Sequence, residues 1–263
     1  MTSSDRRTPA PLADQRALLF DLDGVLTPTA EVHMRAWSRL FTPYLDHHGV
    51  APYAEQDYFA YVDGKPRYDG VRSLLHARGI DLPEGTPDDD PTLDTVCGLG
   101  NRKNAEFTAE LQEHGVSPYP GSVRFLTAAI DAGYEVAVVS SSANAEQVLR
   151  TAGLIDRFAV IVDGAVARAD GLAGKPAPDT YLDAAARFGL TAAQCVVVED
   201  ATSGVEAGRN GAFGLVVGVD RGAGADALRE HGADVVVTDL ADLLPDLADL
   251  LPDLSPADSG KTA

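Results

Sequence analysis

Six short apolar runs punctuate the chain: Ala17–Phe20, Val136–Val139, Phe158–Val162, Cys195–Val198, Gly214–Val219 and Asp234–Val237. Each is rich in β-branched residues and largely free of apolar–polar alternation, the pattern of strands buried on both faces of a parallel sheet. Segments with helical spacing separate them, at Ser122–Ala132, Ala145–Ala152, Pro178–Phe188, Ser203–Asn210 and Ala223–His231. Strand alternating with helix predicts βαβ units, hence an α/β fold with a Rossmann-like parallel sheet core and helices on both faces.

One stretch breaks this rhythm. From about Ala30 to Ser117 no comparable strand run occurs, and the pattern turns helical at Glu31–Leu45, Tyr68–Arg78 and Asn101–His114. A mostly helical domain inserted after the first strand accounts for this, with Tyr119-Pro120-Gly121 as the returning linker. The expected division is a core of residues 15–29 and 118–251, an insertion of residues 30–117, and disordered ends at 1–14 and 252–263. Asp88-Asp89-Asp90 reads as a solvated loop. A repeat, Asp239-Leu-Ala-Asp-Leu-Leu-Pro245 then Asp246-Leu-Ala-Asp-Leu-Leu-Pro252, closes the core with its first copy and appends its second.

Composition narrows the partners. A formal charge of −19 argues against nucleic acid and anionic membranes, which are gripped by clustered Lys and Arg. No apolar run approaches the roughly 20 residues that span a bilayer, and the polar start lacks a signal peptide's apolar segment. The two cysteines, Cys97 and Cys195, lie too far apart in sequence to suggest a disulfide framework or zinc site. A cytoplasmic monomer acting on a small molecule is the expectation. Only four lysines occur, Lys65, Lys103, Lys175 and Lys261, so each is a candidate for a role that a guanidinium cannot fill.

The chemistry gathers at the C-terminal ends of the strand runs, where open α/β sheets place ligands. The first run enters Asp21-Leu-Asp23-Gly-Val-Leu-Thr27, two carboxylates that are costly to bury without a neutralising cation. Oxygen-only ligation suits Mg²⁺. The second run ends in Ser140-Ser141-Ser142-Ala143-Asn144, an anion site at a helix start or a plain N-cap. Lys175 sits rigidly between Gly174 and Pro176, and the fourth run ends in Glu199-Asp200.

In this order, each at a strand end, these residues resemble the four motifs of the haloacid dehalogenase superfamily, over nearly everything between Leu18 and Leu244. Asp21 to Trp37, Gly64-Lys-Pro-Arg67, Asn101-Arg-Lys103-Asn104 and Tyr119-Pro-Gly look like its β-phosphoglucomutase branch. The resemblance implies that the insertion is a helical cap. It further implies Asp21 as nucleophile, Asp23 as general acid and base, and Ser140 and Lys175 offsetting charge on the transferred phosphoryl group. Mg²⁺ would be held by Asp21, Asp23, Glu199 and Asp200. Thr29, His33, Trp37, Gly64, Arg67, Lys103, Ser141, Ser142 and Asn144 would serve the sugar phosphate. Crowding by carboxylates is expected to raise the pKa of Asp23.

Departures from the branch matter. Ala143 stands where its mutases usually carry a lysine, and Lys65 is the expected replacement for that charge. Three readings remain open: a mutase interconverting β-glucose 1-phosphate and glucose 6-phosphate, a sugar phosphate phosphatase, and a non-catalytic sugar-phosphate sensor. Asp23 favours a phosphoryl ester with a poor alkoxide leaving group, Arg67 the mutase, and Ala143 the phosphatase.

Overall fold

A computed structural model of the protein describes residues 15–245 together with Leu12. The six runs form one sheet of parallel strands in the order β3-β2-β1-β4-β5-β6. The strands are β1 Ala17–Phe20, β2 Glu135–Val139, β3 Val160–Val162, β4 Cys195–Glu199, β5 Leu215–Val219 and β6 Val235–Val237. Their uninterrupted hydrophobicity has a simple cause, two cores rather than one. Leu18, Phe20, Val136, Val138, Val196 and Val198 face one cluster, while Ala17, Leu19, Ala137, Val139, Cys195 and Val197 face the other. Helices α5 (Pro120–Asp131) and α6 (Ala145–Thr151) cover the first, with the 3₁₀ turn Leu240–Leu243. Helices α8 (Asp179–Arg187), α9 (Thr202–Asn210) and α10 (Ala225–His231) cover the second.

Helices α1 (Thr29–His47), α3 (Arg67–Ala77) and α4 (Val96–His114) lie between β1 and β2 and have a core of their own, built on Trp37, Phe41, Val71, Leu74 and Leu99. The same α1 and α4 reach the first sheet core through Val32, Ala36, Phe107 and Leu111, which seats the helical layer on the end of the sheet. Helix α4 starts five residues before its apolar spacing becomes plain. Gly98 and Gly100 weaken the helical pattern there, but the Thr95 side chain caps it by accepting from the Gly98 N–H at 2.9 Å. Two elements carried no clear sequence signal. One is α2 (Glu55–Asp57), which runs into a π-helical turn at Tyr58–Val62; the other is α7 (Gly164–Ala169) after β3.

Strands β2 and β3 lie to one side of β1 and β4 to β6 to the other, so the strand order reverses at β1, and the crevice of such a sheet opens above that point. The second copy of the C-terminal repeat, residues 1–14 apart from Leu12, and residues 252–263 lie outside the described residues. Among the described residues no helix is long and apolar enough to cross a membrane.

Candidate active site

Strand register builds the floor of the site. Phe20 pairs with Val138 of β2 and with Val198 of β4, so Asp21, one step on, stands between Val139 and Glu199. Its N–H continues the ladder, donating to the Val198 carbonyl at 2.9 Å. Lys175, on the loop before α8, fills the space between the carboxylates. Its ammonium lies 2.5 Å from Asp21 Oδ1 and 2.6 Å from Glu199 Oε1, and also donates to the Val139 carbonyl. Tyr181 on α8 donates to the same Glu199 oxygen at 3.1 Å, and the N–H groups of Asp200 and Ala201 donate to the other. The sequence pointed Lys175 at a ligand. The structure buries it to 4% exposure behind Asp21 and Glu199, away from the cavity wall. Gly24 completes the floor: at φ +84° a Cβ would fall 1.8 Å from Asp200 Oδ2, so only glycine lets the first motif turn beneath the fourth.

Asp23 leaves the floor and is held from the side. The Thr29 hydroxyl donates to its Oδ1, and His33 Nε2 lies 3.5 Å from the same atom. Lys103 Nζ in turn contacts His33 Nδ1, and the His33 ring stacks on Phe107 at 4.1 Å. With Lys103 donating to Nδ1, the imidazole proton sits on Nε2 and faces Asp23. Two expectations are corrected here. Thr29 does not line the cavity; it is fully buried and orients Asp23. Nor is Asp23 raised. Burial pushes its carboxyl up, but His33, Thr29 and Lys103 together outweigh burial and hold it below the usual value.

The helical layer forms the roof. Asp63 and Gly64, which follow the π-helical turn, meet the core through two hydrogen bonds, and Asn104 of α4 adds a third. Ser141 donates to the Gly64 carbonyl at 2.8 Å, Ser203 to the Asp63 carbonyl at 3.3 Å, and Asn144 to Asn104 at 2.6 Å. Two of the second-motif residues expected to hold ligand therefore tie the core to the roof. Ser142 and Ser140 accept backbone N–H groups in their own turn, Ser142 from Asn144 and Ser140 from Ser142. Between roof and floor lies a cavity of about 290 Å³. Asp21, Asp23, Ser140, Glu199 and Asp200 reach it from below; Trp37, Gly64, Arg67 and Lys103 reach it from above. Lys65 also lines the cavity, with its ammonium donating to Ser73 Oγ at 3.1 Å.

Electrostatics complete the picture. Burial raises Asp21 and Asp200 well above their ordinary values, and the surrounding carboxyls add to it. Asp63, which the sequence reading passed over, is pushed to about 7 by burial, with Glu199 and Asp23 contributing. Burial brings Lys103 down to about 7. One lysine cannot balance this many acids. Asp21, Glu199 and Asp200 offer oxygens that lie within 4.8 Å of one another, an all-oxygen set suited to a hard divalent cation. Asp63 had only its place before Gly64 to announce it, and Tyr181 carried no sequence signal of its own.

Comparison with known proteins agrees with this geometry. The haloacid dehalogenase-like hydrolase profile matches residues 15–211. The β-phosphoglucomutase of Mycobacterium bovis is 52% identical over 240 residues, covering 87% of this chain and 91% of the relative. That of Bacillus subtilis is 31% identical over 231 residues, covering 87% and 91%. The crystal structure of β-phosphoglucomutase from Clostridium difficile superposes with a TM-score of 0.72 over 89% of this chain and 98% of that one, at 22% identity, and so shares the fold.

Proposed function

The chain belongs to the haloacid dehalogenase-like hydrolase family, and from that premise we propose that it is a β-phosphoglucomutase, interconverting β-glucose 1-phosphate and glucose 6-phosphate through a bisphosphate intermediate. As a family member it is an enzyme of the phosphotransferase and phosphatase type. The observation that carries the substrate reading is the sharing of one cavity by two unlike walls. Carboxylates Asp21 and Asp23 stand at the end of β1, and the cationic Arg67 enters from the roof. Such a space suits a small molecule with a phosphoryl group at each end.

In this mechanism Asp21 attacks phosphorus. The aspartyl–phosphate bond forms as the sugar–oxygen bond to phosphorus breaks, and the leaving oxygen takes a proton from Asp23. In the second half-reaction Asp23 accepts the proton of the other sugar hydroxyl, whose oxygen takes the phosphoryl group and frees Asp21. Lys175 keeps Asp21 aimed, and its charge partly offsets the burial that raises the carboxyl. His33, steered by Lys103, holds Asp23 beside the reacting oxygen. Arrival of an anionic phosphoryl group raises Asp23 towards the protonated state that the first step needs. Asp21, Asp200 and Glu199 would hold Mg²⁺, Glu199 the least directly because its oxygens already accept four hydrogen bonds. The ion would neutralise charge on the transferring oxygens. Residues 30–117 act as a cap whose contacts with Ser141, Ser203 and Asn144 keep water from the aspartyl phosphate, so that sugar is the preferred acceptor.

Ala143 favours a second reading, a sugar phosphate phosphatase in which water is the acceptor. One incubation separates the two: Mg²⁺, β-glucose 1-phosphate and a trace of glucose 1,6-bisphosphate, with glucose 6-phosphate and free phosphate followed together. Glucose 6-phosphate without phosphate release is the expected result. Phosphate release with little isomerisation would replace the mutase by the phosphatase.

A further inference from the structure

Eight of the fifteen arginines among the described residues have a carboxylate within 4 Å, Arg39, Arg72, Arg78 and Arg187 among them. Two arginines at the cavity have none among the described residues. Arg67 begins α3 in the roof, and Arg168 sits in the last turn of α7 in the core. They flank one ring: the guanidinium carbon of Arg67 lies 5.1 Å from the Tyr68 centroid and that of Arg168 lies 5.7 Å from it. The ring is fixed, because the Tyr68 hydroxyl donates to Asn101 Oδ1 at 2.9 Å. Two like charges converging without a counter-charge repel, and burial together with Arg168 lowers the Arg67 pKa. The cavity-wall carboxylates Asp69 and Glu84 are both engaged by Arg72, and neither pairs with Arg67 or Arg168.

Helix α7 is held where it must be to present Arg168. The Asp163 carboxylate accepts the Ala165 and Val166 N–H groups, both at 2.9 Å. Gly164 packs against the second-motif backbone so closely that a Cβ would lie 2.5 Å from the Ser141 carbonyl oxygen. The same contact brings α7 against Ala143, which lines the cavity beside Arg168 and Asn144.

We propose that Arg168 and Arg67 together clamp the phosphate that is not being transferred, with Arg168 supplying from the core the cation that position 143 lacks. This rests on the sugar-phosphate reading above and extends it. Planar guanidiniums on two sides of a phosphate give charge-assisted, fork-like hydrogen bonds. Because one arginine belongs to the roof and the other to the core, a phosphate between them also joins the two. A ligand with phosphates at both ends, the sugar bisphosphate, is thereby selected over a monophosphate.

The test compares wild type with Arg168→Ala, Arg168→Lys and the double variant Arg168→Ala/Ala143→Lys. The half-saturating concentration of glucose 1,6-bisphosphate in isomerisation should rise roughly 10- to 100-fold in Arg168→Ala, as loss of charge-assisted bonds implies. That rise should exceed any change in half-saturation by p-nitrophenyl phosphate at least tenfold. Arg168→Lys should fall between, and the lysine at 143 should recover most of the loss. A rise below twofold, or equal changes for both ligands, would overturn the clamp. Titration of the bisphosphate into Asp21→Asn and Asp21→Asn/Arg168→Ala keeps this separate from the mutase reading. If the wild type does not isomerise but binding still weakens tenfold or more, the mutase reading falls and the clamp stands. If isomerisation proceeds and binding is unchanged, the clamp alone falls.

Discussion

The floor and the roof of the cavity are built on opposite plans. In the floor, Asp21, Lys175 and Glu199 engage one another, and Tyr181 and two backbone N–H groups complete the set. Strand register fixes these distances, so the floor is rigid and internally paired before any substrate arrives. In the roof, Arg67 has no carboxylate partner among the described residues, Lys103 rests on a histidine, and Asp63 is raised to about 7 by burial. Its groups come from a loop, the start of α3 and the middle of α4, and none is paired as the floor groups are. On the proposed mechanism, the floor carries the chemistry that is the same for every phosphoryl ester, and the roof carries selection.

The sharpest way to break the floor is Asp21→Asn. Removing a nucleophile should lower turnover by roughly 10⁴-fold or more. Stability should hold or rise, because an amide replaces a carboxyl that burial already raises well above its ordinary value. Steady-state turnover and urea unfolding, measured together, check both halves. Retained activity would remove Asp21 from the mechanism altogether.

Lys175→Met strikes the pairing. It leaves Asp21 and Glu199 buried without their cation, a loss of about 3–5 kcal/mol for breaking a buried pair. Asp21, raised by burial and no longer offset by the lysine, is then held above its unfolded value, so the destabilisation is greatest at pH 8, where it would be charged, and shrinks towards pH 5 as it takes up a proton. Turnover should fall about 10²–10³-fold. A urea midpoint that stays flat across pH would mean that the lysine is not what neutralises this floor.

The same contrast governs what could be read from sequence. All six strands were legible, as were Asp21 and Glu199 at the ends of apolar runs and Lys175 through the order of the motifs, whereas Tyr181 inside α8 was not. The roof was legible only in part. Arg67 and Lys103 rested on resemblance, and their partners could not be foreseen. Asp63 follows a π-helical turn that no periodicity announces. Arg168 lies in a six-residue helix whose only sequence sign is the Asp163-Gly164 start. Asp23 was misjudged for a related reason. Neighbouring carboxylates are visible in sequence, whereas the Thr29, His33 and Lys103 contacts that outweigh them depend on how α1 and α4 meet.

Lys103→Met sharpens the contrast from the roof side. Lys103 is 3% exposed and lowered from 10.5 to about 7, first by burial. Below pH 7 the folded and unfolded chains both carry the proton, and the cost of burying the charge is felt in full. From pH 7 to 10.5 the unfolded chain binds a proton that the folded one does not, so this group's contribution to stability climbs with pH. Above that range the cost is gone. Methionine should therefore stabilise most at pH 6–7, by at most roughly 5 kcal/mol, and by almost nothing near pH 10.5. Equal gains at both ends in guanidinium titrations would show that Lys103 is paired and charged within the cap.

The smallest expected effect belongs to the seam between the two regions. Ser203 on α9 donates to the Asp63 carbonyl at 3.3 Å, the longest of the three bonds that seat the roof. Ser203→Ala removes it without opening a cavity, at a cost of about 0.5–1 kcal/mol. In the closed form that cost shifts the open–closed balance about two- to fivefold, and the apparent affinity for sugar phosphate falls by the same factor. Turnover at saturation should stay within roughly twofold, because binding energy recovers closure once ligand is present. Ser141→Ala, which loses the shorter bond to Gly64, should act in the same direction and further. If Ser203→Ala lowers thermal stability and leaves half-saturation untouched, the seam is structural and closure is set elsewhere. If half-saturation moves and stability does not, the roof is a separately moving part, and its few contacts with the floor set how readily it shuts.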